Sequence, residues 1–109
     1  MKLVSWVGDS LKRLREMPGP AKRAIGYELE KIQAGKEPSD WKPMSSIGVG
    51  VCEIKVRLNG AFRAIYLARF SEAVYVLHVF QKKSRKTSRA DIELARLRYK
   101  STLLRRGRT

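Results

Sequence analysis

A chain of 109 residues and 12.5 kDa has room for one domain around one hydrophobic core, which excludes a second catalytic domain. With 43% hydrophobic and 31% charged residues the composition is that of a folded protein, yet 24 Lys and Arg against 10 Asp and Glu leave a formal charge of +14. A field of that sign and size attracts polyanions, and nucleic acid is the first partner to consider. The single cysteine, Cys52, excludes an intramolecular disulfide and a zinc site built from several thiolates, and it suits a reducing compartment. The longest apolar stretch, 73–80, is too short to span a bilayer and contains His78. The few apolar residues after Lys2 are broken by Ser5 and ended by Gly8-Asp9, which is not a signal-peptide pattern. The expectation is a cytoplasmic protein with no membrane segment, no metal and no cofactor.

In chain order, Leu3, Ser5 and Val7 alternate with Val4 and Trp6 as a short strand that Gly8-Asp9 terminates. Asp9 is placed to cap a helix carrying Leu11, Leu14 and Met17 on one face, and Pro18-Gly19 ends it. Pro20 suits the first turn of a second helix, with Ala21, Ala24, Ile25, Leu29 and Ile32 inward and Gly35 closing it. Residues 36–50 carry Pro38, Pro43, Gly48 and Gly50 without a sustained period and read as a loop pinned by Trp41 and Met44. Three β-branched and aromatic runs follow, 51–58, 62–70 and 73–80, parted by Asn59-Gly60 and Ser71-Glu72, which predicts an antiparallel meander. Thr87 or Ser88 then starts a last helix to about Leu104, acidic at its start and basic at its end. The expected fold is α+β: an N-terminal strand and helical hairpin packed on an antiparallel sheet, with a C-terminal helix. One domain fills 1–109, and residues from about 105 form a frayed tail.

The charge is concentrated late, since residues 80–109 hold 11 basic and 2 acidic side chains. Arg105, Arg106 and Arg108 suit a solvated helix end. Lys82, Lys83, Arg85 and Lys86 instead follow directly from a strand, where cations project from a rigid base, and Arg89 continues the run. Such a cluster binds phosphate, and mutual repulsion disfavours protonation of any one lysine, a route to an amine that moves protons near neutral pH.

Arg57 and Arg63 flank the first hairpin, and their guanidinium forks suit bidentate phosphate binding. A two-residue Asn59-Gly60 turn would drop Arg63 onto the apolar face of Ile54 and Val56. A three-residue bulged turn, Asn59-Gly60-Ala61, instead sets Arg57 opposite Arg63 and puts both on the face of Lys55. With Ser71-Glu72 as the second turn, Val76, His78 and Phe80 oppose Leu67, Ile65 and Arg63, so His78 shares the face of Arg63. That histidine is open to acid–base work or to burial with a backbone hydrogen bond. Tyr99 is open to stacking on a base or to packing on an amphipathic helix. Cys52, among apolar strand residues, reads as inert.

The runs Cys52-Glu53-Ile54-Lys55-Val56-Arg57, Phe62-Arg63-Ala64-Ile65-Tyr66 and Val74 through His78-Val79-Phe80-Gln81-Lys82-Lys83 resemble the RelE/ParE toxin superfamily, specifically its HigB-like, phage-derived branch. Lys86-Thr87, Asp91-Ile92-Glu93-Leu94-Ala95 and Arg98-Tyr99-Lys100 are similar to that branch's C-terminal block, so the likeness covers about residues 50–100. It implies a RelE-like fold and the toxin of a type II toxin–antitoxin pair, an endoribonuclease that cuts mRNA on the ribosome. It also implies a helix-turn-helix antitoxin as partner. On that resemblance Arg57 and Arg63 hold the scissile phosphate, Lys55 moves a proton or stabilises charge, and Lys82 and Lys83 are the basic pair after the last strand. His78 matches a histidine frequent in the branch, and Arg85, Lys86, Arg89 and Tyr99 fall to RNA binding. Thr87, Ser88 and Arg89 stand where some relatives carry a tyrosine or histidine, so no general acid or base is matched there. The resemblance also admits a ParE-like inhibitor of DNA gyrase, whose toxicity comes from binding a protein target, and the charge alone is enough for a nucleic-acid-binding module that does not cut.

Overall fold

The computed structural model describes residues 1–107. The elements in chain order are β1 (Leu3–Trp6), α1 (Ser10–Arg15), α2 (Gly19–Gln33), β2 (Trp41–Pro43), β3 (Val51–Arg57), β4 (Ala61–Leu67), β5 (Ala73–Lys82) and α3 (Arg89–Arg106). They form an α+β fold around a five-stranded mixed sheet of order β1-β5-β4-β3-β2, in which β1 runs parallel to β5 and the other neighbours are antiparallel.

The strand period of two sorts the side chains into two cores. Ile54, Val56, Phe62, Ala64, Tyr66, Val74, Val76 and Val79 face Leu14 of α1 and Ala21, Ile25, Leu29 and Ile32 of α2. On the other face Val51, Ile65, Leu67, Leu77 and Phe80 meet Ala95 and Tyr99 of α3, with Met44 and Ile47 from the preceding loop. Helices therefore cover both faces, but α3 covers only part of its own.

Four expectations are corrected. Residues 36–50 are not wholly loop, because Trp41–Pro43 pairs with β3 as an edge strand. Three residues ending in a proline are too short to show a period, and an edge position tolerates the missing N–H. Asp9 does not cap α1 through its side chain. Its carboxylate instead accepts from Arg13 Nε at 2.9 Å and Arg98 Nη2 at 2.6 Å, charge-assisted bonds that outcompete neutral backbone N–H groups. These guanidiniums, Arg98 foremost, lower its pKa to about 2. The second strand ends at Leu67 rather than near residue 70. Finally, α3 extends through Arg106, which binds Glu72 and lies over the Phe70 ring, so 105 and 106 are helix and not tail. Arg108 lies outside the described residues.

Ser88 does start α3, its Oγ accepting from Asp91 N–H at 3.1 Å. Ser88→Ala is expected to lower stability by about 1 kcal/mol, read by urea unfolding.

Candidate phosphate-binding site on the open half of the sheet

Two irregularities of the sheet decide which side chains share the face that α3 leaves open. The first is the β3–β4 turn. It is a three-residue loop of Leu58, Asn59 and Gly60, not of residues 59–61, because Ala61 already pairs with Arg57. Asn59 at φ 52° and Gly60 at φ 143° make the reversal, and they are the residue types that tolerate positive φ. The direct partner of Arg63 is accordingly Lys55 rather than Arg57. The shift is by two positions, so Lys55, Arg57 and Arg63 still lie on one face.

The second is a bulge at the β4–β5 pairing, where Ile65 faces His78 but Tyr66 faces Val76, leaving Leu77 as the extra residue. Phe80 opposes Arg63 and Lys82 opposes Ala61, while Val76 pairs with Tyr66 rather than Leu67. The Val76 carbonyl is engaged by Val7 N–H at 3.0 Å and Ser10 Oγ at 3.1 Å where β1 turns into α1. The alternation therefore changes phase within β5: Val74 and Val76 turn to the α1–α2 face, while His78 and Phe80 keep the expected register opposite Ile65 and Arg63, with Lys82 following on that face.

A cationic site results. Arg57, Arg63 and Lys82 line a pocket of about 510 Å³ with Asn59, Gly60, Ala61, Ser84 and Arg85. Lys55 stands across the ladder from Arg63. Burial is the largest cause holding the Lys82 amine below the usual lysine range, followed by repulsion from Arg63 and, more weakly, from Lys42 and Lys55. Lys83 is exposed outside the pocket lining, as is Lys86. Arg89 is exposed and pairs with Glu93 at 3.5 Å along α3.

Two sequence candidates lie elsewhere. His78 is 0% exposed, stacked on Phe80 with centroids 4.9 Å apart, and its Nε2–H donates to Asp91 Oδ1 at 2.6 Å. Burial is the main cause pushing its pKa below the ordinary histidine value, against the opposing pull of Asp91. It pins the start of α3 to the sheet and presents no surface to a substrate. Tyr99 is a core residue whose hydroxyl donates to Val49 O at 3.3 Å, so its ring offers no open face to a base.

Two further residues were missed. Glu53 is fully buried beneath the cations, with Oε1 3.5 Å from Arg63 Nε and 4.0 Å from Lys42 Nζ, and Oε2 accepting from Thr87 Oγ1 at 3.3 Å. Lys42 comes from the unexpected strand β2, opposite Glu53. The signal for Glu53 lay in strand parity, since an acid at 53 shares its face with Lys55 and Arg57. No sequence signal marked Lys42.

Guanidinium and ammonium groups from three strands and the loop after them thus converge on a volume large enough for a phosphodiester, which they suit as bidentate and point-charge partners. No helix among the described residues is long and apolar enough to cross a membrane. No curated protein matches the chain. The model of the phage-derived Gp49-like family (DUF891) matches residues 12–100, a span that takes in α2, every site strand and most of α3. The chain therefore belongs to the Gp49-like family, within the RelE/ParE-like toxin superfamily of toxin–antitoxin systems, and an antitoxin is its implied partner.

Proposed function

We propose that this protein is the toxin of a type II pair, of the HigB-like kind, and acts as a ribosome-dependent mRNA endonuclease. The observation that carries the reading is the convergence of Arg57, Arg63 and Lys82 on one pocket with Lys55 beside it. In the reaction the ribose 2′-hydroxyl attacks the adjacent phosphorus, its proton passes to a base, and the 5′-oxygen leaves with a proton from an acid. Arg63, fixed by the sheet, and Arg57, exposed at the end of β3, hold the non-bridging oxygens and stabilise the charge of the pentacoordinate state. Lys55 adds charge beside Arg63. Lys82 is the proton-transfer group, because an amine with a lowered pKa exchanges protons nearer neutral pH than a free lysine. Lys83, Arg85, Lys86 and Arg89 grip flanking phosphates, while His78 and Tyr99 act only through the fold. The antitoxin is a helix-turn-helix protein whose acidic segment covers this patch, and the setting is the cytoplasm.

The test is in vitro translation with transcript ends mapped. Lys82→Gln is expected to slow cleavage by about 100-fold with an unchanged melting temperature, because a half-exposed lysine carries little of the fold. Intact transcripts in the presence of the parent protein, with DNA-damage signalling in cells, would replace this reading with gyrase inhibition.

A further inference from the structure

The buried carboxylate of Glu53 has no part in the chemistry above, yet it is the most connected group under the site. It touches β2 through Lys42, β4 through Arg63 and the 83–88 loop through Thr87. Among the described residues, Glu53 Oε1 and Arg63 Nε are buried without hydrogen-bond partners, and they face one another at 3.5 Å. The Arg63 Nη1 donates to the Phe62 carbonyl at 3.1 Å, so the guanidinium is held by its own backbone on one side and by a carboxylate on the other.

A second cation in that position would repel Arg63, and an apolar residue would leave the guanidinium buried without a counter-charge. A carboxylate does neither. It attracts Arg63 and Lys42 together, and it opposes the lowering of the Lys82 pKa that its cationic neighbours produce. Through Thr87 it also fixes the end of the segment that supplies Ser84 and Arg85 to the pocket wall. A role as the proton-abstracting base is disfavoured by its 0% exposure beneath Arg63.

We propose that Glu53 is the positioning residue of the site, holding Arg63 in a fixed orientation and docking the 83–88 loop so that both face one phosphodiester. The proposal rests on the nuclease reading for its functional consequence, but its structural half is testable without RNA. In the folded protein at neutral pH, Arg63 Nε–H exchange with water is followed by nitrogen-15 NMR, beside the pH–rate profile of cleavage. Glu53→Gln is expected to speed that exchange by about tenfold or more, the loss of one charge-assisted contact. Cleavage is expected to fall by about 100-fold with the acid limb of the profile kept, as for misplaced rather than missing chemistry. Glu53→Asp, which keeps the charge, should recover part of both.

Unchanged Arg63 exchange in Glu53→Gln overturns the proposal whether or not any RNA is cut. Disappearance of the acid limb in that variant overturns it in favour of a catalytic base. Should the parent cleave no RNA, the nuclease reading fails while the exchange rate still decides this one. Should Glu53→Gln not fold, Thr87→Val carries the test: faster amide exchange at Ser84 and Arg85 supports the docking role, and unchanged exchange overturns it.

Discussion

Replacing Arg63 by alanine is expected to abolish cleavage and growth arrest and also to destabilise the fold by about 3 kcal/mol, because Glu53 loses its buried counter-charge and keeps only the more distant, half-exposed Lys42 at 4.0 Å. Both partners are deeply buried, Arg63 at 3% and Glu53 at 0% exposure, so solvent does not screen the loss. Surface cations of the patch behave differently: Arg57→Ala should change stability by less than about 0.5 kcal/mol while weakening RNA binding. The decisive comparison is the double variant Arg63→Met with Glu53→Leu. Removing both charges should restore urea stability to near that of the parent, yet leave the protein inactive. A double variant as unstable as Arg63→Ala would show that the pair does not act as a unit. An active Arg63→Ala protein would remove Arg63 from the site.

Stability is expected to fall as pH drops below about 6.5, with His78 as the cause. Burial lowers the folded-state pKa of His78 from the ordinary value of 6.5, so in that window the unfolded chain binds a proton that the folded protein refuses. The slope of unfolding free energy against pH is then positive, reaching at most about 1.4 kcal/mol per pH unit for one proton. It begins at the unfolded value and ends once pH passes below the folded one. A second decline lies lower, where Asp9 and Glu72, held at about 2 chiefly by hydrogen bonds from Arg98 and Arg106 respectively, lose their charge. Urea unfolding from pH 7.5 down to about pH 2 separates the two, since His78→Gln should flatten the first window and leave the second. His78→Ala should cost about 3 kcal/mol at neutral pH through the cavity beside Phe80 and the lost bond to Asp91. A slope that persists in His78→Gln would assign it to another group.

The two roles of the basic face follow from different kinds of position. Lys82 and Arg57 sit where the strands run out past the cover of α3, so their charges meet solvent. Along the ladder Arg63 lies two residues further in and Glu53 four, where the same alternation places them under the loop that Thr87 ties down. One ladder thus supplies both the exposed cations and the buried pair beneath them.

Local pattern determined most of the architecture by itself. The β-branched runs after residue 51, the Asn59-Gly60 turn, the proline and glycine punctuation around α2 and the Ser88 cap are short-range signals, and each element they predicted is present. The net charge and the cluster after β5 are also legible in the sequence, and they raise the expectation of a phosphate ligand. Parity along β3 and β4 was enough to group Lys55, Arg57 and Arg63, because a face depends only on odd or even spacing. What pattern did not hold was everything set by contacts between distant segments. The strand at Trp41–Pro43 exists because β3 offers an open edge, and the bulge at Leu77 accompanies the capture of the Val76 carbonyl by Val7 and Ser10. Whether His78 and Tyr99 met substrate or core was decided by where α3 lies. The pairing of Glu53 with Arg63 was decided by burial, which removes water as an alternative partner and makes a carboxylate beneath a guanidinium the stable arrangement.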